Sequence, residues 1–103
     1  MVTVIVRYVL PRPVPRARLL EQFRQAEAMF RAVPQLIRKY FCYDEPTHTG
    51  HSVYLFESEA AARAFFDTAF VAHMQQKFGA TPELQFVDTL LVVDNEHRES
   101  THA

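Results

Sequence analysis

The apolar period of this chain alternates between two residues and about 3.6, and the order of those periods leaves few folds open. The opening run Val2-Thr3-Val4-Ile5-Val6-Arg7-Tyr8 is rich in β-branched residues and reads as a strand over residues 2–10. Pro11-Arg12-Pro13-Val14-Pro15 fits neither a helix interior nor a sheet centre, so it is a stiff connector. Pro15 suits a first helical turn. Leu19, Leu20, Phe23, Ala26, Phe30 and Val33 then recur every three or four residues, which predicts a helix over 16–32 that Pro34 ends. A second strand is expected over 36–43 and a third over 51–56. The breaker-rich segment between them makes the two a hairpin. Ser58 caps a helix over 59–66, Asp67-Thr68 breaks it, and a further segment covers 69–78. Gly79 and Pro82 stop that segment. A long apolar strand over 83–93 is predicted last, followed by a polar, frayed tail.

Strand, helix, strand, strand, helix, strand, joined by right-handed crossovers, gives an α+β, ferredoxin-like βαββαβ fold. Its four-stranded antiparallel sheet carries both helices on one face. Residues 1–95 form one domain and 96–103 a polar C-terminal tail. On the other face, Thr3, Ile5, Val9, Val53, Leu55, Val87, Leu91 and Val93 occupy alternate strand positions, and most are apolar. A sheet apolar on both faces must be covered on both. The simplest second cover is another copy of the chain through a two-fold axis, so a homodimer through the open sheet face is expected.

Composition narrows the function. Nine Phe and four Tyr are many for 103 residues, and call for an interface or a lined pocket. The single cysteine, Cys42, rules out an internal disulfide, which makes a reducing, cytoplasmic setting the expectation. Cys42 itself reads as a small buried hydrophobe. No apolar run has the length of a membrane helix, so no membrane association is expected. The net charge of −1 hides eight Lys/Arg against two Asp/Glu in residues 1–40, and three against ten thereafter. That asymmetry fits a solvated basic face paired with acids elsewhere rather than a nucleic-acid footprint. His48 and His51 flank the hairpin turn near Asp44 and Glu45 without a fixed ligand spacing, and two glycines cannot build a phosphate loop, so neither a metal nor a nucleotide is expected.

Three stretches carry a family likeness. Pro34-Gln35-Leu36-Ile37-Arg38-Lys39-Tyr40-Phe41, Val53-Tyr54-Leu55-Phe56-Glu57-Ser58 with Ala61 and Ala64-Phe65-Phe66, and Val92-Val93-Asp94-Asn95 resemble the small monooxygenases of the dimeric α+β barrel superfamily, over about residues 2–95. The chain departs from that family at Pro34-Gln35, where the family has Pro-Gly, and at His51-Ser52, where it has a glycine. The resemblance implies two ferredoxin-like subunits packed sheet to sheet, with a pocket between sheet and helices in each. It also implies a monooxygenase working without metal or flavin on a small apolar, aromatic or enolic compound, whose own anion reduces oxygen. Such chemistry asks the protein for a dry apolar pocket, a base or cation for the substrate anion, and hydrogen bonds to the ring. The alternatives are a non-catalytic, small-ligand-binding or stress-associated protein on the same fold, and haem handling. Phe56-Glu57-Ser58 followed by Phe70-Val71-Ala72-His73 is similar to the haem-degrading members, whose haem ligand falls on His73. Those enzymes also use a tryptophan and an asparagine where this chain has Phe56 and Arg7, and this chain has no tryptophan at all.

The residues themselves nominate a site. Tyr54 and Phe56 share one face of the third strand, as a pocket wall with a phenol handle or as plain core. His73, three residues after Phe70 and seven after Phe66, lies on the sheet-facing stripe, as a base at a pocket mouth or a half-buried helix histidine. Arg7 sits mid-strand, to bind an anionic substrate group or to pair with Asp88 or another acid. Lys39 shares its face with Phe41 and Tyr43, to hold an enolate or carboxylate or to snorkel to water. The catalytic candidates are therefore His73, Tyr54 and Arg7, and the substrate-binding candidates Tyr54, Phe56, Lys39, Arg7 and His73. Tyr8 and Tyr40 are supporting donors.

Overall fold

The computed structural model describes residues 1–97 and 99–101. In chain order the elements are β1 (Val2–Val9), α1 (Arg16–Arg31), β2 (Leu36–Asp44), β3 (Thr49–Phe56), α2 (Glu59–Phe65), α3 (Thr68–Phe78), β4 (Glu83–Asp88), β5 (Val92–Asp94) and β6 (Glu99–Thr101). The first four strands to pair form one antiparallel sheet in the order β2-β3-β1-β4. This is the expected α+β, ferredoxin-like arrangement, with β1 and β3 central. Burial along β1 shows which face the helices cover. Val2, Val4, Val6 and Tyr8 are buried, while Thr3 and Ile5 are half-buried and Arg7 and Val9 exposed. On β3 the matching buried set is Ser52, Tyr54 and Phe56.

Local chemistry sets the helix ends. Ser58 Oγ accepts from the Ala61 N–H at 3.1 Å and starts α2. Asp67 Oδ1 accepts from the Phe70 N–H at 3.0 Å and starts α3. The break between them swings Phe65, Phe66 and Phe70 into one edge-to-face cluster. Gly79, at φ 65°, ends α3 in the left-handed conformation.

Between α1 and β2 the chain turns through Gln35 at φ 61°, a backbone region that glycine favours. Two bonds hold it there. The Glu57 N–H donates to the Gln35 carbonyl at 3.0 Å, and Ser58 Oγ donates to Gln35 Oε1 at 3.1 Å. The Ser58–Gln35 bond is exposed and contributes little, whereas the left-handed backbone costs about 1 kcal/mol for a residue with a Cβ. Gln35→Gly is therefore expected to raise stability by roughly 0.5–1 kcal/mol, measured by urea unfolding.

β2 carries an irregularity between Leu36 and Arg38, so that Leu36 faces Phe56 and Lys39 faces Tyr54. Simple alternation groups Leu36 with Arg38, Tyr40 and Cys42. The extra residue moves Leu36 to the helix-covered face, where it packs on the core beside Phe41 and Tyr43. Cys42 is exposed rather than buried, because its position opposite His51 puts it on the face that no helix covers.

The C-terminal region differs from the expected long strand. β4 ends at Asp88, and the Thr89 N–H donates to the Met1 carbonyl at 3.0 Å. Thr89 Oγ1 and Thr3 Oγ1 lie 2.6 Å apart. From there the chain crosses the open face. Asp94 Oδ2 accepts from Arg38 Nη2 at 3.0 Å on β2, the opposite edge of the sheet. Leu91 and Val93 therefore lie over the groove formed with Ile37, Val53 and Leu55 rather than on β4. Residues 99–101, placed by the sequence in a frayed tail, pair with β5 as a small hairpin. Residues 98, 102 and 103 of that tail lie outside the described residues. Arg38–Asp94, with Arg7–Glu83, joins the basic first half of the chain to its acidic second half.

Candidate functional site

A cavity of about 90 Å³ lies between the helix-covered face of the sheet and helices α1 and α3. Val6 and Tyr8 of β1, Lys39 and Phe41 of β2, and Ser52 and Tyr54 of β3 form its floor. Phe23 and Phe30 close one side, and Phe65, Phe70, Met74 and Phe78 the other. Met29 on α1 and His73 and Lys77 on α3 are exposed and also line it, so they form its rim. No carboxylate is found among the described lining residues.

Lys39 is the central polar group. Its Nζ lies 3.3 Å from the centroid of the Phe30 ring, 3.8 Å from Phe41 and 4.5 Å from Tyr54. No carboxylate comes within ion-pair distance of it among the described residues. Burial pushes the ammonium down to about 6, and the charge of Lys77 across the same cavity adds to the shift. The three ring faces favour the charged form and offset part of that cost. The result is a mostly neutral amine at pH 7 whose protonated form has a cage of rings, and among the described residues no fixed anion, to receive it.

The two floor tyrosines behave in the opposite sense. Burial raises the Tyr54 phenol well above its ordinary range. The Tyr8 phenol is pushed up to about 12 by burial, against a smaller opposing effect from a Ser52 hydrogen bond. Both are neutral around pH 7, so they serve as hydrogen-bonding phenols and not as phenolate bases. Tyr8 lies directly against Gly50, its partner in the β1–β3 ladder, where any Cβ would collide with the ring.

Tyr54, Lys39 and His73 thus meet at one cavity, with His73 on the rim rather than within. Phe56 does not line the cavity. It is fully buried beneath α2, against Phe65 and Phe66. Arg7 lies on the opposite face of the sheet, 3.6 Å from Glu83 Oε2, with its side chain 46% exposed. The acid beside it is its ladder partner on β4 and not Asp88. Tyr40 shares that open face and accepts from Arg38. His48 is structural: its Nδ1 lies 2.6 Å from the Leu10 carbonyl and fixes the hairpin to the end of β1. Sequence reasoning missed Lys77, Met29 and the aromatic pair Phe30 and Phe41. Lys77 was within reach, since it follows His73 by four residues and so shares its helix face. The cavity is well short of the ~300–1,000 Å³ of pockets for large ligands, and a porphyrin has no room in it.

No protein-family model matches the chain, and no curated protein is detectably similar in sequence. Among solved structures it is similar to SnoaB, a cofactor-independent oxygenase from Streptomyces nogalater, in the crystal structure of a mutant form. The TM-score is 0.61 at 18% identity, over 85% of this chain and 91% of that one. The two chains share a fold.

Proposed function

We propose that the protein is a cofactor-independent monooxygenase that oxidises a small enolic or phenolic compound, with Lys39 as its base. The observation that carries this reading is the half-buried amine held against three aromatic rings, with no carboxylate of the described residues beside it. The fold shared with an oxygenase of that kind supports it. Neutral Lys39 takes the proton of the enol or phenol and becomes ammonium. The ring cage holds that cation, and the new substrate anion supplies its counter-charge. The anion gives one electron to dioxygen, and the radical pair joins as a carbon-bound peroxide. Lys39 returns its proton to the peroxide, which loses water to leave a carbonyl. A CH2 group and one O2 thus become a C=O group and one water. Tyr54 and Tyr8 supply neutral hydrogen bonds that orient the ring, and His73, at the rim, serves as a secondary contact. A cavity of ~150 Å³ holds benzene, so an aromatic substrate requires the exposed Met29 side chain to swing outward.

The test is oxygen uptake with a panel of electron-rich phenols and 1,3-dicarbonyl enols. Lys39→Met is expected to lower uptake at least ~100-fold, and Arg7→Gln, on the far face of the sheet, to leave it unchanged. Ligand binding without oxygen uptake by any of the panel would overturn the reading in favour of a binding protein. We also propose that the working unit is a homodimer through the open sheet face. Val9, Tyr40, Val87, Leu91 and Val93 are each at least 43% exposed there, an apolar set too large to leave in water. Sedimentation equilibrium at micromolar concentration is expected to give twice the chain mass.

A further inference from the structure

The chain has two lysines, Lys39 and Lys77, and both line the cavity between sheet and helices. We propose that Lys39 is also a covalent binding site for small aldehydes or ketones, which it captures as an imine. The inference does not rest on the oxygenase reading. It needs a free amine, a dry wall and a small space.

The surroundings of Lys39 supply all three. From α3, Lys77 and His73 face the cavity; from the sheet, Tyr54 and Tyr8 do. Glu27 and Arg31 of α1 border Lys39 only from an outer groove, and Glu27 is taken by Arg31 at 3.0 Å. Among the described residues no carboxylate holds the amine as an ammonium salt, and a second cation, Lys77, stands across the cavity. A desolvated lysine beside another cation is the arrangement that makes an amine nucleophilic near neutral pH. The lowered proton affinity of Lys39 agrees with that geometry.

The reaction balances without a redox step. The Nζ lone pair adds to the carbonyl carbon, and a proton moves from nitrogen to oxygen to give a carbinolamine. The carbinolamine then loses that oxygen as water while the C=N bond forms. An apolar wall favours the step that releases water. The volume of about 90 Å³ selects carbonyl compounds of a few heavy atoms and excludes fused aromatic ones.

Propanal with sodium cyanoborohydride at pH 7 tests this on the folded protein, because the hydride fixes each imine as a stable propyl amine. Peptide mass mapping then compares Lys39 with Lys77. Lys39 is expected to be modified about tenfold or more faster than Lys77. In urea the two are expected to react alike. An anthracene carboxaldehyde, too large for the cavity, is expected to show no preference for Lys39. Equal modification of the two lysines in the folded protein, a preference that survives urea, or one that survives the bulky aldehyde would each overturn the proposal. The assay needs no oxygen and detects no oxidation, so its failure is separable from failure of the oxygenase reading.

Discussion

Lys39→Met is expected to make the protein more stable at pH 7, by on the order of 2 kcal/mol, while removing the proposed oxygen uptake. Methionine keeps the length and most of the volume of the side chain and fits against Phe30, Phe41 and Tyr54 as a sulfur–aromatic contact. It leaves out the amine, whose burial opposes folding. In the unfolded chain this lysine titrates at the ordinary 10.5, and in the folded protein it is pushed down to about 6. Between those two values the unfolded chain holds a proton that the folded chain has given up. The contribution of Lys39 to stability therefore rises with pH from about 6 toward 10.5 and is flat below 6, where the lysine is protonated in both states. Urea unfolding at several pH values across that window reads the effect directly. The variant should lose the lysine's share of the slope and gain most near pH 6. A variant less stable than the natural chain at pH 7, with the slope intact, would show that the cation–ring contacts outweigh the burial of the amine. A stability gain coupled to loss of function is what a polar group kept for chemistry predicts.

How far this site was readable beforehand depended on which periodicity governed each residue. Period-two alternation put Lys39 with Phe41 and Tyr43, and Tyr54 with Phe56, and each set does share a face. Which face the helices cover is not a property of one strand. It depends on β1, whose two faces are both apolar in sequence and differ mainly in Arg7. Arg7 was grouped with Tyr54 and His73 although the same alternation sets it with Thr3, Ile5 and Val9 on the face expected to be open. The bulge at Leu36–Arg38 and the departure of the chain at Thr89 were hidden for a related reason. Both are made by contacts distant in sequence, the pairing with β3 in one case and the Thr3 hydroxyl and Met1 carbonyl in the other. Helix ends, by contrast, are set by neighbours. Ser58, Asp67 and Gly79 act where their chemistry indicates. Most of the thirteen aromatics are accounted for by one network. Phe23, Phe30, Phe41, Tyr54, Phe65, Phe66, Phe70, Phe78 and Tyr8 line the cavity or wall it in, and Phe56 and Phe86 extend the same cluster into the core.

Gly50→Ala should produce the largest loss of stability from the smallest change of atoms, about 3 kcal/mol. Gly50 has ordinary strand dihedrals, so a methyl group brings no backbone strain. The cost comes from Tyr8. Its ring lies flat over the glycine on the adjacent strand, filling the place where a Cβ would stand. The ring is 3% exposed and packs against Phe78 at 5.5 Å, so the core offers it no second position. Free volume lies beside it in the cavity that Tyr8 helps to floor. The methyl group is therefore expected both to destabilise the fold and to push the phenol into the ligand space, so that propanal modification of Lys39 falls together with stability. Tyr8→Val separates this cause from any other. Alone it costs about 3–4 kcal/mol as a large-to-small core substitution. Combined with Gly50→Ala it removes the ring that the methyl group strikes, and the loss of stability in the double variant should be at least ~2 kcal/mol smaller than the sum of the two single losses. Additive losses in that cycle would mean that Gly50 is needed for something other than the approach of Tyr8, and that the floor of the cavity tolerates more movement than its packing indicates.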